Sequence, residues 1–366
     1  MSKLLGVNEL SRPATQLPLS WYFDPAIYRR EIDRLFKNGP GYVGHDLMVP
    51  NANDFRTLET KDGAWNLVHT ARGVEMVSNV CRHRQAVMLN GAGNLAGGNI
   101  VCPLHRWTYD TGGMLLGAPH FDDQPCLHLP RKPLQRWNGM LFEGPRDIAA
   151  DLGRMGCAKD LDFDGYVLHK VDVVEYNFNW KTFIEVYLED YHVGPFHPGL
   201  GHFVDCDQLQ WEYGGWHSVQ TVGVNKALSK PGSEVYRKWH ESVLNFRGGE
   251  PPAHGAIWLT YYPNIMVEWY PHVLVISTLI PRGPEKCTNV VEFYYPEEIA
   301  LFEPEFVAHE QAAYHETAVE DEEICQRMND GRKLLWQEGR EEQGPYQSPM
   351  EDGMVHFHEF LRRELS

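Results

Sequence analysis

With 366 residues, 43% hydrophobic and 23% charged, the chain has the composition of a globular protein of two or three domains, and disordered and fibrous classes are excluded. Thirty-three Lys and Arg against fifty Asp and Glu leave a formal net charge of −17. That balance argues against nucleic acid or an anionic membrane as partner, since both demand clustered positive charge. No apolar run approaches the roughly 20 residues of a membrane span; the best candidate without a charge, Pro251–Val267, is broken by His254, Pro263 and Asn264.

In chain order, the opening MSKLLGVNELSRP has too short an apolar run for a signal peptide and no small-residue cleavage site, so a cytoplasmic chain is expected. In the following WYFDPAIYRREIDRLFKN, Ile27, Ile32, Leu35 and Phe36 recur at helical spacing, and Asp24-Pro25 reads as an N-cap followed by a first-turn proline. From 40 to 145, short apolar runs alternate with Gly, Asn and Pro clusters, which predicts a small all-β unit. DIAADLGRMG reads as a short helical connection, and VLHKVDVVEYNFNW as a strand leading into a helix at 180–192. Loop segments rich in Gly and Trp follow, then strands at 256–262, 265–280 and 288–296. The C-terminal part carries three helical patterns, EEIALFEPEFVAHEQAAYH, DEEICQRMNDGRKLLWQ and MVHFHEFLRREL. The fold class is α+β, in three parts: a helical segment 1–39 packing on the last domain, a β domain 40–160, and a larger α+β domain 161–366.

Seven cysteines, an odd and sparse set in a long chain expected to be intracellular, do not make a disulfide framework, and five read as small buried hydrophobes. Cys81 and Cys102 differ. They open a C-x-H pair with His83 and, after eighteen further residues, a C-x-x-H pair with His105. Structural zinc sites usually pair like with like, whereas here each pair mixes a thiol and an imidazole. Mixed pairs suit a Rieske [2Fe–2S] cluster, in which two Cys hold one iron and two His the other.

A second constellation lies in NWKTFIEVYLEDYHVGPFHPGL. His192 and His197 are five residues apart, which on a regular helix turns one side chain about 140° from the other. Gly194 and Pro195 lie between them and are expected to break the helix, letting the second imidazole swing back. Two imidazoles with one carboxylate and open positions form the facial triad of non-haem Fe(II) oxygenases.

Nearly the whole chain resembles the Rieske non-haem iron oxygenases, in particular their terminal oxygenase (alpha) component, with ring-hydroxylating dioxygenases and choline- and carnitine-type monooxygenases as the nearest branches. The family's CRHRG loop reads Cys81-Arg82-His83-Arg84-Gln85 here, and its CPxHxW/Y loop reads Cys102-Pro103-Leu104-His105-Arg106-Trp107, where Trp107 would cover the cluster. The NWK, acidic, E/D-x-Y-H and H pattern is met by Asn179-Trp180-Lys181, Glu185, Glu189-Asp190-Tyr191-His192 and His197. Val186 departs from the Asn of many members. ED-x-x-x-C matches Glu320-Asp321 through Cys325, which implies Asp321 as the third iron ligand, with Glu320 and Glu323 as the alternatives.

The resemblance implies a helix-grip-like catalytic domain with a central antiparallel sheet and surrounding helices. It also implies a [2Fe–2S] cluster, a mononuclear Fe(II), O2 as co-substrate, and electrons from NADH through a separate NAD(P)H-dependent flavin/iron-sulfur reductase. A homotrimer would set one subunit's cluster against its neighbour's iron, bridged by Glu189 between His192 and the neighbour's His105. Glu189 and Asp190 therefore join His192, His197 and Asp321 as catalytic residues. The reaction implied is mono- or dioxygenation of a small organic substrate, aromatic in the first reading. The second reading is N-demethylation or C-hydroxylation of an amine or quaternary ammonium ion, and an electron carrier without chemistry is the non-enzyme alternative. Phe203, Trp211, Trp216, Tyr262, Met266 and Trp269 are the expected pocket aromatics and Met.

Overall fold

The apolar runs of the second half form one antiparallel sheet of seven strands. In spatial order these are Tyr166–Tyr176, Lys286–Pro296, Val273–Gly283, Ile265–Tyr270, Ala256–Tyr261, His217–Val224 and Val204–Tyr213. The computed structural model describes residues 15–123, 125–225 and 228–366; the reading of the first thirteen residues lies outside them. Every residue of Ala256–Tyr261 is buried, because this strand is covered on both faces. Side-chain alternation divides the sheet between two cores. Ile257, Leu259, Leu274 and Ile276 face one, and Ala256, Trp258, Val273 and Val275 face the other.

Three elements differ from the sequence reading. The strand expected over 265–280 is a hairpin of two, because Pro271 has no N–H to give to a ladder and His272 takes a left-handed φ of 64°. Helix Glu234–Phe246 falls where loop was expected; Ser233 caps it by accepting from the Tyr236 N–H. The first C-terminal pattern breaks at Pro304 into a short helix Glu297–Phe302 and a long one, Pro304–Gln337, which runs on through the second pattern because nothing between them interrupts it.

The β unit ahead of this sheet consists of one five-stranded and two three-stranded antiparallel sheets. Its core includes Val68, Val77, Ile100, Tyr109 and Leu115, packed around Cys81, Cys102 and Trp107. Ahead of it, Asp24 caps helix Pro25–Glu31 through the Ala26 N–H, and a five-residue π-helical stretch Ile32–Phe36 follows. Glu31 is wholly buried and accepts from Trp180 Nε1 at 3.0 Å and Lys181 Nζ at 2.6 Å. Asn179 caps helix Trp180–Tyr187 by accepting from the Lys181 N–H. The Asn-Trp-Lys motif thus fixes, against the N-terminal segment, the helix that leads to His192.

Candidate active site

The two Cys/His loops are twins. The Cys81 N–H donates to Ala86 O and the Gln85 N–H returns to Cys81 O; likewise the Cys102 N–H donates to Trp107 O and the Arg106 N–H to Cys102 O. Each turn closes through a left-handed residue four places after its cysteine, Gln85 at φ 56° and Arg106 at φ 59°. Both thiols are buried, His83 is half-buried and His105 exposed, and the two rings lie 4.6 Å apart between centroids. His83 Nδ1 is buried without a hydrogen-bond partner among the described residues. Buried ring nitrogens are normally satisfied, so this atom is consistent with a ligand to a cluster. Trp107 stacks on the His83 ring at 5.0 Å, and Phe121, which the sequence reading missed, meets both edge-on. Tyr109 brings its hydroxyl 3.5 Å from Cys81 Sγ.

The second constellation closes as well, by a different route from the one expected. The helix ends at Tyr187, before His192, and Gly194 and Pro195 sit inside a separate turn, Val193–Phe196. His192 Nε2 and His197 Nε2 come to 3.0 Å from each other, and Asp321 Oδ1 lies 3.0 Å from the latter and 3.6 Å from the former. Ligand atoms about 2.1 Å from one ion at right angles would stand about 3 Å apart, so the set has the dimensions of a single metal site.

Carboxylates hold both outer nitrogens, Glu189 at 2.5 Å from His192 Nδ1 and Glu320 at 2.7 Å from His197 Nδ1. Glu189 also accepts from the His192 backbone N–H. Burial opposes a charge on His192, but hydrogen bonds to Asp321 and Glu189 outweigh it and raise its pKa to about 10. The cluster therefore favours positive charge at its centre. Of the alternatives for the carboxylate, Glu320 orients rather than faces the centre, and Glu323 is exposed and bonded to Arg327. Asp190 is buried beside the site, its Oδ2 without a hydrogen-bond partner among the described residues, and burial lifts its carboxyl to about 7. Glu185 points away into a buried network with Arg332, His358 and Tyr22.

A cavity of about 430 Å³ opens onto His192, His197 and Asp321. One stripe of the long helix walls it, Glu310, Tyr314, Thr317 and Asp321, at the four-three-four spacing of a single face. The sheet supplies Trp258, Glu268 and Tyr270. Trp258 Nε1 donates to the Tyr270 hydroxyl, which donates to Glu268 Oε2 at 2.9 Å, and Tyr314 donates to Glu268 Oε1 at 3.2 Å. Burial pushes Glu268 up to about 8 and Glu310 to about 7. Asp172 and Glu189 add to the acidic lining, against which Lys170 is the single Lys or Arg, and it is paired with Asp172.

None of the six expected pocket residues lines this cavity. Phe203 packs on Tyr236 and Trp239, Trp216 under Arg146 and against Phe360, and Tyr262 against His356 and Phe360. Trp211 is tied to Pro349 O, and Met266 and Trp269 pack in the other hydrophobic cluster. Of the six, Met266 and Trp269 alone lie on a strand that supplies the wall: Trp269 is on its other face, and Met266 is two residues short of Glu268 on the same face.

Residues 41–129 match the family described as Rieske [2Fe-2S] domain, and residues 163–366 match that described as ring hydroxylating alpha subunit (catalytic domain). The chain belongs to the Rieske ring-hydroxylating oxygenases. A putrescine 2-hydroxylase of Ralstonia nicotianae is 64% identical over 365 residues, covering 100% of both chains. Another, of Bordetella bronchiseptica, is 59% identical and covers 96% of this chain and 85% of its own length. Among solved structures, a quaternary ammonium Rieske monooxygenase superposes with a TM-score of 0.78 at 19% identity, covering 97% and 96% of the two chains, a likeness of fold. As a Rieske oxygenase the chain is an enzyme that hydroxylates a small organic substrate, and its family combines a [2Fe–2S] domain with a mononuclear iron and works with a reductase. This sets aside the electron-carrier alternative. No helix among the described residues is long and apolar enough to cross a membrane.

Proposed function

We propose that this oxygenase hydroxylates a carbon of a short aliphatic amine, in first place a diamine of the putrescine kind, rather than the aromatic substrate first expected. The observation that carries the reading is the acidic cavity adjoining the His192, His197 and Asp321 cluster. Buried carboxylates penalise an uncharged arene, which cannot compensate them, and favour a cation that can. The names of the two relatives above agree with this choice.

In this reading His192, His197 and Asp321 hold one Fe(II), and Cys81, His83, Cys102 and His105 hold the cluster. Iron bound there would supply O2 activation, and a bound cluster would supply the electrons that activation consumes. Balance requires two electrons and two protons per turnover: one oxygen atom enters a C–H bond and the other leaves as water. Glu189 and Glu320 fix the ring orientation of the two histidines, each from the nitrogen facing away from the metal. Asp190, buried beside Glu189 in the cavity wall, holds or passes a proton. The carboxylates of the wall attract the substrate cation and turn its chain towards the iron.

The electron donor is an NADH- or NADPH-dependent flavin/iron-sulfur reductase. The exposed position of His105 fits a homotrimer in which Glu189 meets the neighbour's His105. The chain works in the cytoplasm, and its division is 1–39, 40–160 and 161–366. The test is turnover of 1,4-diaminobutane under ¹⁸O2 with a reconstituted reductase. A hydroxylated diamine carrying one labelled oxygen is expected. Failure to label any aliphatic amine, with labelling of an arene, would return the substrate to the aromatic class.

A further inference from the structure

We infer that Glu268, together with the Tyr187 hydroxyl, is the seat of one primary ammonium group of the substrate, and that this seat selects primary over quaternary ammonium ions. The inference rests on the amine reading above and deepens it.

Glu268 is 4% exposed and stands inside the seven-stranded sheet, with Trp258 and Val275 as its cross-strand neighbours. A carboxylate in such a place is costly unless a cation compensates it. Among the described residues no Lys, Arg or His forms an ion pair with Glu268; its partners are two phenols, Tyr270 on one oxygen and Tyr314 on the other. Each oxygen therefore keeps acceptor capacity that the protein leaves unused.

A second, independent feature points to the same place. The Tyr187 hydroxyl is buried and has no hydrogen-bond partner among the described residues, although Tyr187 lines the cavity. Its ring meets the edge of Trp258, the cross-strand neighbour of Glu268, and Glu268 is the charged group acting most strongly on its phenol. For packing alone a Phe would serve. A stranded hydroxyl beside an uncompensated carboxylate is what a ligand with several N–H donors would satisfy.

A primary ammonium carries three such donors, enough for Glu268 and Tyr187 together. A quaternary ammonium carries none and would gain only the ring faces of Trp258 and Tyr270. The seat also stands in register with the metal site. Tyr314 and Asp321 lie seven residues apart on one helix face, about 10 Å along the axis, a span suited to a short alkyl chain. Burial pushes the Glu268 carboxyl up, and an ammonium seated there supplies the cationic partner the protein withholds; Tyr187, Tyr270, Tyr314, Asp321 and Glu310 are the other titratable groups acting on this carboxyl.

The test is anaerobic calorimetry on the iron-loaded enzyme with 1,4-diaminobutane, 1-aminobutane and butyltrimethylammonium, for the wild type, Glu268→Gln and Tyr187→Phe. The wild type is expected to bind the diamine and 1-aminobutane each at least about 10-fold more tightly than butyltrimethylammonium. Glu268→Gln should weaken the diamine by roughly 30- to 100-fold, the loss of a charged partner, and remove its advantage over butyltrimethylammonium. Tyr187→Phe should weaken it by about 5- to 10-fold without lowering the thermal midpoint of the free enzyme, because the lost hydroxyl had no partner to lose. If the wild type binds the diamine and both variants bind it within about threefold as well, the seat is wrong and the amine reading stands. If the wild type binds no amine, both fall. Equal wild-type affinity for butyltrimethylammonium and the diamine would overturn the selectivity. Should Glu268→Gln fail to fold, Tyr187→Phe decides alone.

Discussion

Glu320 and Asp321, neighbours in sequence, grip one imidazole from its two sides: Glu320 Oε2 lies 2.7 Å from His197 Nδ1 and Asp321 Oδ1 lies 3.0 Å from its Nε2. Adjacent residues of a helix diverge by about 100°, and the ring of His197 fills the angle between them. Their chemistry therefore separates, one carboxylate towards the metal position and one behind the ring.

Removing each carboxylate should show that division. Asp321→Ala is expected to lower iron from about three to about two per chain and to stop turnover, as a triad short of one ligand holds its metal poorly. Glu320→Ala should keep the third iron at saturating Fe(II) but bind it 10- to 100-fold more weakly. Glu323→Ala should behave as wild type, since that side chain is exposed. Iron assays after dialysis decide the matter, and a third iron kept in Asp321→Ala but lost in Glu320→Ala would reverse the assignment.

At the cluster loops, Cys81→Ser should abolish the visible and EPR spectrum of the Rieske centre and leave about one iron per chain. Tyr109→Phe is the finer probe. Its hydroxyl lies 3.5 Å from Cys81 Sγ, and a hydrogen bond to a cluster sulfur stabilises the reduced state. Losing about 1 kcal/mol of that contact should lower the potential by about 50 mV. An unchanged potential in voltammetry would show that the hydroxyl does not act on the sulfur.

The buried Lys181–Glu31 pair invites a stability measurement. Lys181→Met leaves Glu31 charged, buried and dependent on Trp180 Nε1 alone, which should cost about 3–5 kcal/mol in denaturant unfolding. Adding Glu31→Leu should recover most of it. A single-variant loss below about 1 kcal/mol would mean that water reaches the pair.

Mild acid should weaken the fold through its neutral histidines. His45 accepts from the Leu47 N–H at Nδ1 and its Nε2 lies 3.0 Å from Asn138 O, and burial lowers its pKa from 6.5 to about 4. The unfolded chain therefore binds a proton at higher pH than the folded one. This stabilisation, roughly 3 kcal/mol, is complete above pH 6.5 and disappears as the pH falls towards 4. His240 and His356, also held near 4 by burial, add to the slope. Unfolding free energies at pH 7 and pH 5 should differ in that sense, and less so in His45→Asn; equal slopes would remove His45 from the account.

The two metal-site motifs were legible in the sequence because their spacing is local. Cys81 with His83, Cys102 with His105, and His192 with His197 each sit on one short segment whose turn brings them together. The cavity wall was not, because it is assembled across strands and a helix. Choosing Trp269 over Trp258 and Tyr270 is an error of face, and choosing Met266 an error of position along the strand, and composition can correct neither. Glu268 left a usable trace, a lone carboxylate in the apolar run Ile265–Tyr270. Glu31 left less, since one acidic residue on an amphipathic helix normally faces water. Ser233 signalled the missed helix, but the Gly- and Trp-rich surroundings outweighed it.

Glu310, Tyr314, Thr317 and Asp321 stand on a single uninterrupted helix whose far half is pinned by Cys325 against Thr182 O and by Arg332 against Glu185. Lengthening that rod by one residue between Tyr314 and Asp321 would turn Asp321, the proposed metal ligand, about 100° away from the rest of the cavity wall and advance it by about 1.5 Å. Descendants of this sequence can therefore change what they accept by exchanging side chains at 310, 314 and 317, whereas insertions and deletions there are closed to them. Length variation, the freedom that loop-built sites enjoy, has no place in this part of the wall.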